Sequence, residues 1–240
     1  MTDRLRALPA ETVHLWLMLV LTLTTGINDA VGYLGLDKVF TGNMTGNVVV
    51  LGMALAGGTG LPTLGPALAL VGFMAGAAVG GRVLKRAKVA WSRGVTLLFA
   101  LVAAMMCALG GLLLAIGREP GHVVMITVTT LAAVAMGTQA AAARQVAVKD
   151  VTTVVVTSTI TGLAADSVFG NGKRSGTPRR LLAVALILAG AAIGALLLRV
   201  QLGWPLLLAG VLIAAATAVG AVHHQARPAV PPQLTQDSLR

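Results

Sequence analysis

Long apolar stretches dominate this chain, and short polar joints separate them. Eight apolar segments can be drawn, at about 13–34, 39–57, 62–81, 95–116, 122–142, 152–169, 181–199 and 204–222. Most approach the roughly 20 residues that an α-helix needs to cross about 30 Å of hydrocarbon. Glycine and proline punctuate the joins, at Gly57-Gly58-Thr59-Gly60-Leu61-Pro62, at Glu119-Pro120-Gly121, and from Gly170-Asn171-Gly172 to Pro178. The pattern predicts an all-α polytopic membrane protein, with a single integral membrane domain over 1–222. The stretch 223–240 turns polar and carries Pro228, Pro231 and Pro232, which predicts a disordered tail.

Two segments depart from this pattern. In the first, Thr41-Gly42-Asn43-Met44-Thr45-Gly46-Asn47 places small and polar residues inside apolar text, with Asn28-Asp29 just ahead. In the second, Thr152-Thr153 leads to Thr157-Ser158-Thr159-Ile160-Thr161-Gly162 about half a chain later. Short resemblances connect the two halves. Gly26-Ile27-Asn28 resembles Gly137-Thr138-Gln139, Thr45-Gly46 falls opposite Thr157-Ser158, and Ala75-Gly76-Ala77-Ala78-Val79-Gly80 is nearly repeated as Ala189-Gly190-Ala191-Ala192-Ile193-Gly194. The offsets are 111, 112 and 114 residues. Near-constant spacing in this order points to duplication, with one repeat at about 13–116 and the other at about 122–222.

Charge decides how the segments are threaded. If all eight cross, Lys and Arg divide evenly between the two faces. Suppose instead that 39–57 and 152–169 enter and leave on one face, with the N-terminus cytoplasmic. Then Lys38, Arg118 and Arg199 alone lie outside, and every other basic residue lies inside. Cytoplasmic loops carry the excess of Lys and Arg, so charge favours six transmembrane helices plus two re-entrant or broken segments, 39–57 and 152–169. Three spans per half is an odd number, which makes the repeat inverted, as in many transporters. Both termini then lie in the cytoplasm.

Composition agrees with this reading. The chain is 56% hydrophobic and 11% charged, with mean hydropathy +0.86, against roughly 25% charged in soluble proteins. The net charge of +10 is not read as a nucleic-acid signal, because the basic residues sit between apolar runs. Arg4 and Arg6 ahead of an apolar run imitate a signal peptide, but Asp3, Glu11 and the missing small-residue cleavage pattern make 13–34 a retained first span. Cys107 is the one cysteine. His14, His122, His223 and His224 do not converge with other ligands in sequence, so no metal and no cofactor is expected.

Gly26-x-x-Asp29-Ala30 followed by Val39-Phe40-Thr41-Gly42-Asn43-Met44-Thr45-Gly46-Asn47 resembles the first-half signature of the YoaK-like family of bacterial inner-membrane proteins. Gly137-x-Gln139-x-Ala141, Ala143-Arg144, and Thr152-Thr153 through Thr161-Gly162-Leu163-Ala164-Ala165-Asp166-Ser167 resemble its second half. The resemblance runs from about 13 to 222, with one departure at Ala140, where the family often carries asparagine. It implies a multi-pass bacterial inner-membrane protein and supplies no substrate.

The candidate chemistry lies in the polar segments. A carboxylate at membrane depth costs at least about 2.5–3.5 kcal/mol, so Asp29 needs a polar partner or a task. It reads either as a proton or cation coupling site or as an interfacial cap shared with Asp37. Gly42 and Gly46 let backbone approach a ligand closely, and Thr41, Asn43, Thr45 and Asn47 offer groups that could replace a hydration shell. A short helix starting at mid-depth would point its positive end at an anionic or acceptor-bearing solute. Thr153, Thr157 and Thr161 share one helical face, and Gln139 could bond at depth opposite Asn28. The competing reading makes all of these interhelical glue. Asp166 reads as an interfacial residue near Lys173 and Arg174, and Arg144 as a side chain reaching the cytoplasmic face.

Gly72, Gly76, Gly80, Gly190 and Gly194 read first as packing between the halves and second as a homo-oligomer interface. No nucleophile elbow, phosphate loop or paired-carboxylate signature is present, so the chain does not read as an enzyme. The expectation is a channel or transporter for a small polar solute, with anions among the candidates. Its partners are the lipid bilayer and that solute, with no nucleic acid. The alternative is a structural or regulatory membrane protein without transport.

Overall fold

The computed structural model describes residues 8–146, 156–167, 170–172 and 177–225. Among these residues every regular element is a helix. Helix α1 is Ala10–Ala30 and runs on into a π-helical turn, Val31–Gly35. Then follow α2 (Met44–Leu55), α3 (Leu64–Leu84), α4 (Arg93–Ile116), α5 (His122–Val146), α6 (Val156–Ala165), α7 (Thr177–Leu198) and α8 (Gly203–Gln225). Six of them, α1 with its π turn, α3, α4, α5, α7 and α8, are long and apolar enough to cross a membrane. This is an all-α polytopic membrane protein.

The two unusual segments form short helices. Helix α2 has 12 residues, about 18 Å at the α-helical rise, and α6 has 10, about 15 Å. Neither covers the roughly 30 Å of a hydrocarbon core. The apolar run 39–57 is only partly helical because Phe40 to Asn43 stay extended or bent and Asn43 caps α2. Several bounds move outward from the sequence reading. Helix α5 extends to Val146, and α8 carries on through His223, His224 and Gln225, which the sequence assigned to a tail. His223 is buried, and its Nε2 lies 3.1 Å from the Leu8 carbonyl, so this end is held against the start of α1.

Glycines set the helix pairs. A methyl group on Gly26 would run into the Ile187 carbonyl and lie 2.9 Å from the Ala191 amide, while one on Gly190 would meet Leu23 and Ile27. On the other side of the molecule, Gly137 faces the Phe73 carbonyl and the Ala77 amide, and Gly76 faces the Val134 carbonyl and Thr138. Backbones approach this closely only where side chains are absent. All five stripe glycines, Gly72, Gly76, Gly80, Gly190 and Gly194, are buried in these two contacts. They pack the two halves of the chain together.

The partners also give the helix directions. Along α1 and α7 the contacts advance together, from Leu23 with Gly190 to Ala30 with Gly194, so the two run parallel. Helices α3 and α5 run parallel by the same test, from Gly72 with Thr130 to Gly80 with Ala141. Helices α4 and α8 run antiparallel, since Gly110 meets Gly203 and Cys107 meets Gly210. Helix α1 crosses α5 antiparallel, with Asn28 against Met136 and Thr25 against Gln139. If α2 and α6 both crossed a bilayer, α1 and α5 would point the same way, as would α4 and α8. The observed directions require neither short helix to cross.

Candidate functional site

After its π turn, α1 ends in a reversal. Lys38 takes a left-handed backbone (φ 52°), and the Val39 amide then donates to the Gly32 carbonyl at 3.2 Å. A side chain on Gly32 would collide with the Val39 carbonyl, so this return needs glycine. Tyr33 and Phe40 stack across the reversal with ring centroids 4.8 Å apart. The returning strand of backbone is thereby laid beside Asp29.

One oxygen of Asp29 collects the donors that result. Its Oδ1 accepts from the amides of Gly42 (2.7 Å), Thr41 (3.0 Å) and Asn43 (3.4 Å), and from the Thr41 hydroxyl (3.4 Å). A hydrogen bond to a charged group contributes about 1.5–3 kcal/mol, so the two shorter bonds are enough to offset the cost of placing a carboxylate at depth. Asp29 therefore caps the entrance to α2. Its Oδ2 accepts no hydrogen bond from the described residues. The side chains of the Thr-Gly-Asn block divide between structure and surface. Asn47 is fully buried and clasps Phe40, accepting from its amide at 2.8 Å and donating to its carbonyl at 2.6 Å. Asn43 accepts from the Gly46 amide as the N-cap of α2, and Gly46 lies against the Phe40 ring.

A cleft of about 500 Å³ opens where the starts of α2 and α6 come together. Asp29, Gly42, Asn43, Thr45 and Gly46 line it from the first half, and Val156, Thr157 and Ile187 from the second. Thr25, Tyr33 and Phe40 complete the wall. Six of the sequence-derived candidates, Asp29, Gly42, Asn43, Thr45, Gly46 and Thr157, thus share one space although they come from both halves. The remaining candidates lie elsewhere. Thr41 and Asn47 are buried behind the cleft. The Thr161 hydroxyl bonds to the Thr157 carbonyl of its own helix. Thr153 lies outside the described residues. Asn28 and Gln139 sit at the α1–α5 crossing, at 0% and 1% exposure.

The geometry changes what an anion would meet at the start of α2. The amides that lead into α2 are already turned onto Asp29, an internal anion, and a second negative charge would meet its carboxylate. Asp166 has a partner that the sequence did not single out. Its partner is Arg180, at 2.6 Å, on the first turns of α7. Lys173 and Arg174, the neighbours expected from the sequence, lie outside the described residues. Thr25 was missed, although it precedes Asn28 and Asp29 by one helical turn and so shares their face. Tyr33 and Ile187 gave no signal, because apolar residues in an apolar chain do not stand out.

A family described as "Protein of unknown function (DUF1275)" matches residues 17–219. The chain is also 33% identical over 188 residues to the UPF0700 transmembrane protein YoaK of Bacillus subtilis strain 168, covering 75% of this chain and 82% of that protein. No solved structure matches.

Proposed function

This chain is a multi-pass membrane protein of the YoaK-like DUF1275 family, and from that premise we propose that it is a channel or transporter for a small polar solute. The observation that carries this reading is the cleft between the starts of the two short helices. Its volume of about 500 Å³ falls in the range of small-molecule sites. Non-helical backbone at membrane depth is tolerated where it is buried in protein or lines a cavity, and the Phe40–Asn43 stretch does both. Asp29 offers a free carboxylate oxygen there, with the hydroxyls of Thr45 and Thr157 nearby. That donor-poor, acceptor-rich wall suits a neutral or cationic solute carrying N–H or O–H groups.

The architecture supports the same reading. In chain order, the first half sends α1, α3 and α4 in alternating directions, and the second half repeats the alternation reversed. We read this as an inverted repeat, with α1 and α7 entering from the cytoplasm of a bacterial inner membrane. The solute site then lies close to the pseudo-two-fold axis, as in alternating-access carriers. No step of a chemical reaction is assigned to the protein.

A second reading has an observation in its favour. Asn43 and Asn47 both serve the local fold, so part of the Thr-Gly-Asn block is glue. Uptake into proteoliposomes separates the two. Candidate solutes are first selected by their effect on the melting temperature of the purified protein. Asp29→Asn keeps an oxygen for the amides of Thr41 and Gly42, so the variant should fold and should lose accumulation of the selected solute. Unaltered uptake by that variant rejects the role of Asp29, and failure of any solute to enter the vesicles rejects transport.

A further inference from the structure

Six cations gather at one end of the bundle, where α3 and α5 finish and α4 begins. Arg82 lies in the last turn of α3, and Lys85, Arg86 and Lys88 follow in the junction. Arg93 opens α4, and Arg144 lies in the last turn of α5. Packing brings these helix ends together. A methyl group on Gly94 would lie 3.1 Å from the Leu84 side chain and 3.6 Å from that of Val83, so the start of α4 rests on the end of α3. Gln145 Nε2 donates to the carbonyls of Ala87 (3.5 Å) and Val89 (3.1 Å), which ties the junction to the end of α5. Trp91 is buried, stacks on His14 of α1 and donates from its Nε1 to the Thr96 hydroxyl. The junction is therefore fastened to α1, α4 and α5.

All six cationic side chains are exposed, and none is in an ion pair with a described residue. From Val39 to Gly117 the chain has no Asp or Glu. Of the described acids at this end of the bundle, Asp166 is held by Arg180, and Glu11 is a single charge against six. Loop cations that only fix the threading of a membrane protein need no set geometry. These are held on three converging helix ends, where they repel one another unless an anionic partner meets them. Their neighbours indicate which kind. Val83 adjoins Arg82, Val89 adjoins Lys88, and Leu97 lies one turn beyond Arg93, all three exposed. Apolar and cationic surface thus share one boundary. A free anion or a nucleic acid matches only the cationic part, whereas a lipid with an anionic headgroup and acyl chains matches both.

We propose that this surface binds the headgroup phosphate of an anionic phospholipid, with its acyl chains running along Val83 and Leu97. The lipid site goes beyond the transport reading and stands without it.

The test melts the full chain, purified in a non-ionic detergent, with added phosphatidylglycerol, phosphatidylcholine or sodium phosphate. Phosphatidylglycerol should raise the melting temperature saturably, by about 3–6 °C at ten times its dissociation constant, and the other two should not. The combined variant Lys85→Gln, Arg86→Gln, Lys88→Gln should melt like the parent without lipid. It should need about tenfold more phosphatidylglycerol, or above, for half effect. A second combined variant, Lys38→Gln, Arg118→Gln, Arg199→Gln, removes as much charge from the opposite end of the bundle and should leave that concentration unchanged. If the junction triple does not fold, Arg86→Gln and Lys88→Gln taken singly read out the same surface, each with a rise of about threefold. An equal temperature rise with phosphatidylcholine means that only the apolar belt responds, and it overturns the proposal. So does an equal rise with phosphate, which marks a site for a free anion. A phosphatidylglycerol effect that the junction variants retain, or that both triples weaken alike, overturns it too. A shift with phosphatidylglycerol together with no solute uptake would keep this surface and remove only the transport reading.

Discussion

Asn47 shows at residue scale how a polar group in an apolar chain can be structural and still serve a site. Its amide matches both the donor and the acceptor of Phe40, which holds the extended stretch in the place where the amides of Thr41 and Gly42 reach Asp29. Asn47→Leu would leave both Phe40 backbone groups unmet in a dry environment. We expect a loss of about 1–3 kcal/mol, read as a lower melting temperature. Solute binding should weaken with it, because the wall of the cleft is built on that stretch. A variant that melts like the parent would show that Phe40 finds other partners. Thr45 is the contrasting case. It is exposed, lines the cleft, and takes no part in the clasp or the cap.

At the scale of elements, the helix pairs depend on the missing side chains of glycine, and glycines of one helix differ sharply. A methyl group at Gly76 meets the backbone carbonyl of Val134, whereas at Gly81 nothing lies within 4 Å. Gly76→Ala should therefore push α3 off α5, at a cost of about 1–3 kcal/mol as for other overpacked contacts. Gly81→Ala should be neutral or should gain up to about 1 kcal/mol, because alanine is the better helix former. Melting curves of the two variants, made side by side, check the pair. Equal destabilisation would mean that the helices are held by something other than close backbone approach. The ion pair of Asp166 with Arg180 acts on the same scale, since it ties the end of α6 to the start of α7.

At the scale of the whole molecule, the two short helices decide the threading. Gly60 follows α2 and Gly172 follows α6, and neither has an atom within 4 Å of the place where a Cβ would stand. Gly60→Cys and Gly172→Cys, each in a background carrying Cys107→Ala, should label from opposite faces of the membrane with an impermeant maleimide. The first should label from the periplasm and the second only after the cytoplasmic face is opened. Labelling of both from one face would remove the antiparallel arrangement of the halves and the reading of the cleft as a shared site.

Hydrophobic length, glycine punctuation and loop charge were enough to give the number of crossing helices, the two exceptional segments and the inward use of Gly76 and Gly190. Each of these follows from local rules: a run crosses if it is long and apolar, and basic residues remain on one side. The sequence could also name Asp29, Asn28 and Gln139, because polar groups are costly at depth wherever they point. What they point at was decided by tertiary structure alone. The reversal after Gly35 brings the amides of Thr41 and Gly42 back to Asp29, and that fills the helix start which an anion would otherwise have taken. Arg180, 14 residues further along the chain, meets Asp166, because partners are chosen by distance in space. Asn28 and Gln139 are left with unmet oxygens only because α1 and α5 cross where they do, and no one-dimensional pattern carries the position of a crossing.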